Sequence, residues 1–147
     1  MPHESFERGD TPGLYIMSLS VHGLVRGTEV ELGRDADTGG QVLYVLDQAR
    51  ALARRPEVES VEIITRQIWD KRVDESYSRP REEIGDKARI VRLPFGPRRY
   101  LYKENLWPYL PTLVDQIMRL IRARGRAPDL IHGHYADAGF VGSQVAK

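Results

Sequence analysis

Residues 37–65, DTGGQVLYVLDQARALARRPEVESVEIIT, predict one helix followed by one strand. Apolar residues spaced three and four apart predict an amphipathic helix in the first half. They are Val42, Val45, Leu46, Ala49, Leu52 and Ala53. Asp37 or Thr38 is the predicted N-cap, since either side chain can accept from the first free backbone N–H groups. Pro56 ends the helix, and the alternating β-branched run 58–65 predicts a strand.

Similar elements lie on both sides of this helix and strand. Further strands are predicted at 13–20, 88–93 and 129–132, where apolar runs are bounded by proline or glycine. A second amphipathic helix runs from residue 110 to about 124 and stops at Gly125. A third helix opens at residue 136. This alternation predicts an α/β fold with an open, mainly parallel sheet and helices on both faces.

Three segments carry no regular pattern. Residues 1–12 are polar and predict a flexible tail before a domain spanning 13–147. Residues 22–37 are long for a connection between a strand and a helix, and loops of that length are usually functional. Residues 67–87 are polar, contain Pro80, and predict a surface excursion. Ligands of such a fold bind at the carboxyl ends of the strands, so residues 22–37 lie at the predicted ligand edge.

Composition restricts the classes of protein. The 147 residues are 41% hydrophobic and 29% charged, as expected of one globular domain. The 22 basic residues nearly cancel the 21 acidic residues, which leaves no overall field to gather nucleic acid or an anionic membrane. No apolar run approaches the roughly 18 residues of a membrane span, and the N-terminus lacks a secretory pattern. The absence of cysteine suits a reducing compartment. These features predict a cytoplasmic protein.

The glycine pair at the start of the first helix is the first candidate site. Gly39 and Gly40 leave backbone N–H groups uncovered at the positive end of the helix dipole, where a phosphate or sugar oxygen can approach. Gln41 adds a side-chain donor and acceptor. A plain helix start with glycines chosen for the turn is the other interpretation. The fingerprints for dinucleotides and for P-loop nucleotides are both absent, so neither cofactor is predicted.

A basic, aromatic segment follows the third predicted strand. Arg98, Arg99 and Lys103 alternate with tyrosines at 100 and 102. Convergent cations there could hold a substrate phosphate. Cations beside aromatic rings also suit single-stranded nucleic acid, although the near-neutral net charge weighs against that interpretation. A solvated loop is the third interpretation.

The last strand ends in His132-Gly133-His134-Tyr135-Ala136-Asp137. Two histidines and a carboxylate suggest a metal site, but a further ligand of suitable reach is still required. Hydrogen bonding to a polar ligand at the sheet edge is the favoured interpretation. For His132 alone, burial with a backbone partner is an alternative.

Five motifs together resemble a known family. They are SVHGLVRG (20–27), ELGRDADTGGQ (31–41), LPFGP (93–97), LWP (106–108) and HGHYADAG (132–139). In this order and spacing they resemble the opening of the sucrose-phosphate synthases, which are retaining glycosyltransferases. The related sucrose synthases share DTGGQ (37–41), and the run 44–48 is similar to theirs. The phosphate synthase is favoured by the arginine in 20–27 and by HYADAG (134–139).

The resemblance implies two Rossmann-like domains facing across a cleft, an architecture called GT-B. It implies transfer of glucose from UDP-glucose to fructose 6-phosphate, with retention at the anomeric carbon, without a cofactor and without an obligatory metal. The N-terminal domain would hold the acceptor, and its partners would be these small molecules rather than nucleic acid or membrane. The substrate-binding residues implied by motif match are Gly39, Gly40, Gln41, Lys103, Tyr135 and Asp137, with Arg98 as a further candidate.

The family continues with a nucleotide-binding C-terminal domain that is absent from these 147 residues. The chain is therefore expected to be a truncated N-terminal domain that is inactive alone. Its last strand, 129–132, is expected to leave an open sheet edge through which copies could associate. The alternatives are a sucrose synthase-type fragment that uses fructose, and a stand-alone phosphosugar-binding module.

Overall fold

A five-stranded sheet forms the centre of the computed structural model, which describes residues 13–147. The strands are β1 (Leu14–Leu19), β2 (Val58–Arg66), β3 (Arg81–Gly85), β4 (Ala88–Leu93) and β5 (Leu130–Gly133). Their order across the sheet is β3-β4-β2-β1-β5. All neighbours are parallel except β3 and β4. The predicted open, mainly parallel sheet is therefore confirmed, whereas the predicted tail lies outside the described residues.

Within residues 13–147, four α-helices accompany the sheet. They are α1 (Gly40–Ala53), α2 (Lys103–Leu106), α3 (Leu110–Arg124) and α4 (Tyr135–Val145). The short helix α2 has no counterpart among the predicted elements. The predicted stop of α3 at Gly125 is confirmed, since this residue has a left-handed φ of 68° and its N–H donates to the carbonyls of Ile121 and Arg122. Within residues 13–147, no helix combines the length and the apolar character needed to cross a bilayer.

The helices cover both faces of the sheet. The apolar stripe of α1 packs on one face, against Ile16, Ile63 and Ile90. The stripes of α3 and α4 pack on the other face, against Met17 and Ile64. Consecutive strand residues point to opposite faces, and this explains why Ile16 and Met17 enter different cores. Because both faces are covered, β1 is an apolar run in which every residue after Leu14 is buried.

The segment 67–87 lies mostly at the surface, as predicted, but it also contains regular structure that was not predicted. This segment contains a short 3₁₀ turn (Glu75–Ser78) and the antiparallel edge strand β3. Tyr77 and Ile68 are also buried, together with Leu24, in a small third core. The sequence of β3, REEIG, lacks the apolar run by which the other strands were recognised. Charged residues are common on edge strands, where they discourage pairing with other chains.

The predicted N-cap of α1 is wrong. Gly39 occupies that position and offers no side chain to accept the first N–H groups. Thr38 and Asp37 use their oxygens elsewhere. The hydroxyl of Thr38 accepts from the backbone N–H of Leu24, and the Asp37 carboxylate accepts from the N–H of Lys103 at 2.7 Å. Both residues therefore hold the long loop in place rather than cap the helix.

Candidate functional site

An open hollow of about 450 Å³ lies at the carboxyl ends of β1 and β5. Gly40, Gln41 and Tyr44 from the first turns of α1 line one side, and residues 132–135 line the other. The hollow thus occupies the edge of the sheet where open α/β folds bind ligands.

Two helices begin at this hollow, and this shapes its electrostatics. The side chains of the N-cap residues, Gly39 for α1 and His134 for α4, accept no hydrogen bond from the first N–H groups. The positive ends of both helix dipoles therefore lie at the hollow, where α1 has no acidic residue in its first turn and α4 has Asp137. Each end carries about half a positive charge, so an anionic group placed there is stabilised.

Asp37 connects the hollow to the basic segment. The side-chain amide of Gln41 donates to the carbonyl oxygen of Asp37, while the Asp37 carboxylate accepts from the N–H of Lys103. Lys103 therefore begins α2 close to the residue that orients Gln41. Its side chain is exposed and does not line the hollow. The structure therefore places Gln41 and Tyr135 around one hollow, whereas Lys103 lies outside its lining.

Arg98 lies apart from this hollow. Its guanidinium stacks over the ring of Trp69, 5.3 Å from the ring centre. Two bonds from Arg66 to the carbonyls of Pro97 and Arg99, at 2.6 and 2.7 Å, hold the backbone on either side. Burial lowers the pKa of Arg66 to about 10, yet the group keeps its charge at neutral pH. The Arg98 side chain does not line the hollow.

Two stacked histidines form the wall made by β5. The rings of His132 and His134 lie 4.2 Å apart at an interplanar angle of 25°. His134 is buried, and its Nε2 lies 2.9 Å from the hydroxyl of Ser18. Burial lowers the pKa of His134 to about 4, with the neighbouring His132 as a second cause, so His134 is neutral at pH 7. The interpretation of His132 as the buried histidine is wrong, because His132 is half-buried and lines the hollow.

Asp137 and Tyr135 occupy different positions in the site. Tyr135 is 62% exposed and lines the hollow. Asp137 is buried, and its Oδ2 lies 2.7 Å from Nδ1 of His22 in the loop after β1. In the part of the chain from residue 13 onward, no group of three or more histidine and carboxylate side chains is placed to hold a metal ion.

The comparison with protein families decides what kind of domain this is. The family of the sucrose synthase first GT-B domain matches residues 9–147. The chain belongs to this family.

Individual relatives of this GT-B domain agree with the resemblance found in the motifs. The chain is 47% identical over 153 residues to a probable sucrose-phosphate synthase of Vicia faba, covering 86% of this chain and 14% of the relative. It is 48% identical over 158 residues to probable sucrose-phosphate synthase 1 of Oryza sativa subsp. indica, covering 90% and 15%. The chain thus spans about one seventh of the length of these relatives.

A solved structure supports the same assignment. The sucrose-phosphate synthase of Thermosynechococcus elongatus superposes with a TM-score of 0.72 at 29% identity. The match covers 90% of this chain and 30% of that protein. The resemblance to sucrose-phosphate synthases and the GT-B fold are therefore confirmed.

Two residues at or next to the hollow were not predicted. Tyr44 is 60% exposed and lines the hollow from α1. The ring of His22 contacts the ring of Tyr135. A large aromatic residue on the polar face of α1 is a signal that could have found Tyr44. No spacing rule connects His22 to Asp137, which lies 115 residues away.

Proposed function

We propose that this chain is the acceptor-binding part of a sucrose-phosphate synthase. That enzyme transfers glucose from UDP-glucose to fructose 6-phosphate and gives sucrose 6-phosphate and UDP. The observation that carries the proposal is the hollow in which two helix N-termini meet beside Gln41 and Tyr135. The family and the relatives named sucrose-phosphate synthase support the class of reaction.

Each group at the hollow has a proposed role toward the acceptor. The N–H groups of Gly40 and Gln41 suit an anionic or sugar oxygen at the start of α1. The amide of Gln41 is held by Asp37 and is thereby oriented for sugar hydroxyls. Lys103 supplies a mobile positive charge for the acceptor phosphate. The exposed ring of Tyr135 offers an apolar face to the sugar.

Positioning is the proposed contribution of these residues to the rate. A fixed acceptor replaces a random encounter by an oriented one, and this lowers the barrier to transfer. The reaction also requires groups that stabilise the departing diphosphate, whereas the residues proposed here act on the acceptor. We propose no cofactor and no obligatory metal, since UDP-glucose is a co-substrate.

Calorimetric titration of the chain tests this function. We expect fructose 6-phosphate to bind and fructose to bind at least about tenfold more weakly, because charge-assisted bonds to phosphate are lost. Lys103→Ala should weaken the binding of fructose 6-phosphate by about tenfold for the same reason. Lys71→Ala, which removes another exposed lysine, is the matched control and should have no effect. Unchanged binding of fructose 6-phosphate by Lys103→Ala would show that Lys103 does not hold the phosphate.

A second candidate function follows from the family itself, whose description is sucrose synthase. A sucrose synthase would use fructose rather than its phosphate. The same titration separates the two candidates, because fructose would then bind as tightly as fructose 6-phosphate and Lys103→Ala would leave both affinities unchanged.

We also propose a cytoplasmic location, which suits a chain without cysteine.

We further propose that copies of the chain associate through the free edge of β5. Within residues 13–147, β5 pairs with β1 alone. Beside its other edge lies an apolar groove of about 550 Å³, which includes Leu130, itself 55% exposed. Open edges with apolar side chains recruit other strands. Sedimentation should show a dimer that Leu130→Lys converts to monomer. A wild-type monomer at every concentration would contradict this proposal.

A further inference from the structure

We infer that His22 and Asp137 are positioning residues that hold Tyr135 at the rim of the hollow. The inference rests on the proposed function, in which Tyr135 contacts the acceptor sugar. Neither His22 nor Asp137 lines the hollow, so both would act through Tyr135.

The backbone of Tyr135 is strained. Its φ of 68° lies in the left-handed region, which residues with a Cβ atom disfavour. Tyr135 is nevertheless the first residue of α4. Its side chain is 62% exposed, so burial of the ring does not offset the strain. A conformation of this kind persists only where the surrounding structure imposes it, and such residues cluster at ligand sites.

The backbone before Tyr135 is fixed by β5 and β1. The N–H of His134 donates to the carbonyl of Leu19 at 3.0 Å. At Gly133 the chain lies so close to α4 that an added Cβ would stand 2.7 Å from the carbonyl oxygen of Ala138. These contacts restrict the path of the backbone immediately before Tyr135.

The first turn of α4 after Tyr135 is fixed by His22. Nδ1 of His22 lies 2.7 Å from Oδ2 of Asp137, and both side chains are buried. The second oxygen of Asp137 accepts from the N–H of Ala138 at 2.7 Å. Asp137 thus has both oxygens engaged and little exposed surface, which suits positioning rather than contact with a sugar.

His22 also contacts Tyr135 directly. The two rings meet edge to face, with centres 5.1 Å apart and planes at 74°. One imidazole therefore binds the carboxylate in the first turn of α4 and supports the aromatic ring at the start of that turn. We therefore infer that His22 sets the direction of the Tyr135 side chain.

A double-mutant cycle tests the inference. His22→Asn keeps an N–H donor but removes the ring, and it should weaken the binding of fructose 6-phosphate about three- to tenfold. Tyr135→Gly should weaken binding as well. This variant should nevertheless unfold at a temperature equal to or higher than that of wild type, because glycine tolerates the positive φ. In the Tyr135→Gly background, His22→Asn should cause no further loss. Equal losses in both backgrounds, or no loss in either, would overturn the inference.

Two further measurements separate this inference from the proposed function. In the chain without ligand, His22→Asn should shift the NMR ring resonances of Tyr135, whereas the exposed variant Asp115→Asn should not. Asp137→Asn should shift them as His22→Asn does. If wild type binds no fructose 6-phosphate, the proposed function fails, while the shifts still support the positioning contact. Unshifted Tyr135 resonances in a folded His22→Asn variant would overturn the contact itself.

Discussion

Gly23→Ala is expected to lower the free energy of unfolding by about 2–5 kcal/mol and to abolish the binding of fructose 6-phosphate. Gly23 has a φ of 85°, and an added Cβ would stand 2.3 Å from the carbonyl oxygen of Asp37. That oxygen belongs to the backbone and also accepts from Gln41. Relief of the clash must therefore move Asp37, and with it the orientation of Gln41 and the bond to Lys103.

Gly33→Ala provides the matched control for this substitution. Gly33 has a similar φ of 76°, but an added Cβ would meet no atom within 4 Å. We expect only the conformational cost of about 1–2 kcal/mol and unchanged binding. Urea unfolding and calorimetry measure both quantities. Equal effects of the two substitutions would show that the contact with Asp37 has no consequence for the site.

Arg92→Met is expected to lower the free energy of unfolding by about 3 kcal/mol, because it removes the buried arginine of an ion pair whose glutamate is partly buried. Arg92 is 2% exposed, and one of its terminal nitrogens lies 2.7 Å from Glu82. The same nitrogen donates to the carbonyl of Val25 at 2.8 Å. Since Glu82 also accepts from the N–H of Gly27 at 2.7 Å, the pair joins β3 and β4 to the long loop. Methionine would leave Glu82 and the Val25 carbonyl without this donor.

An exposed ion pair on the neighbouring strand β3 is the control for Arg92. Arg81 lies 3.4 Å from Glu83, and both side chains are more than half exposed. Arg81→Met should cost less than about 1 kcal/mol, since solvent screens such pairs. Thermal or urea unfolding of both variants gives the comparison. A loss for Arg92→Met no larger than that for Arg81→Met would contradict a role of the buried pair in holding the loop.

The regular elements were predictable because their apolar periods are strong. Helix α3 was predicted at 110–124 and is observed at Leu110–Arg124, since one apolar stripe and a terminal glycine define both its face and its end. Strand β3 was missed, because REEIG has too few apolar residues to distinguish an edge strand from a loop. The N-cap was misassigned because Asp37 and Thr38 bind distant backbone groups that local sequence does not reveal.

The site was predictable to the extent that it depends on strand ends. Gly40, Gln41 and Tyr135 meet because they follow the carboxyl ends of β1 and β5, which are neighbours. The contact of Arg98 with the Trp69 ring and the bond between Asp137 and His22 are tertiary contacts between distant segments. Residue type and spacing carry no information about such contacts, so the different positions of Tyr135 and Asp137 emerge only from the structure.

If the hollow between α1 and α4 binds a phosphosugar, an NMR titration of ¹⁵N-labelled chain with fructose 6-phosphate will locate the bound ligand there. We expect saturable shifts that are largest at the amides of Gly40, Gln41 and Tyr135. Shifts confined to the opposite groove beside Leu130, or none at any ligand concentration, would contradict this expectation.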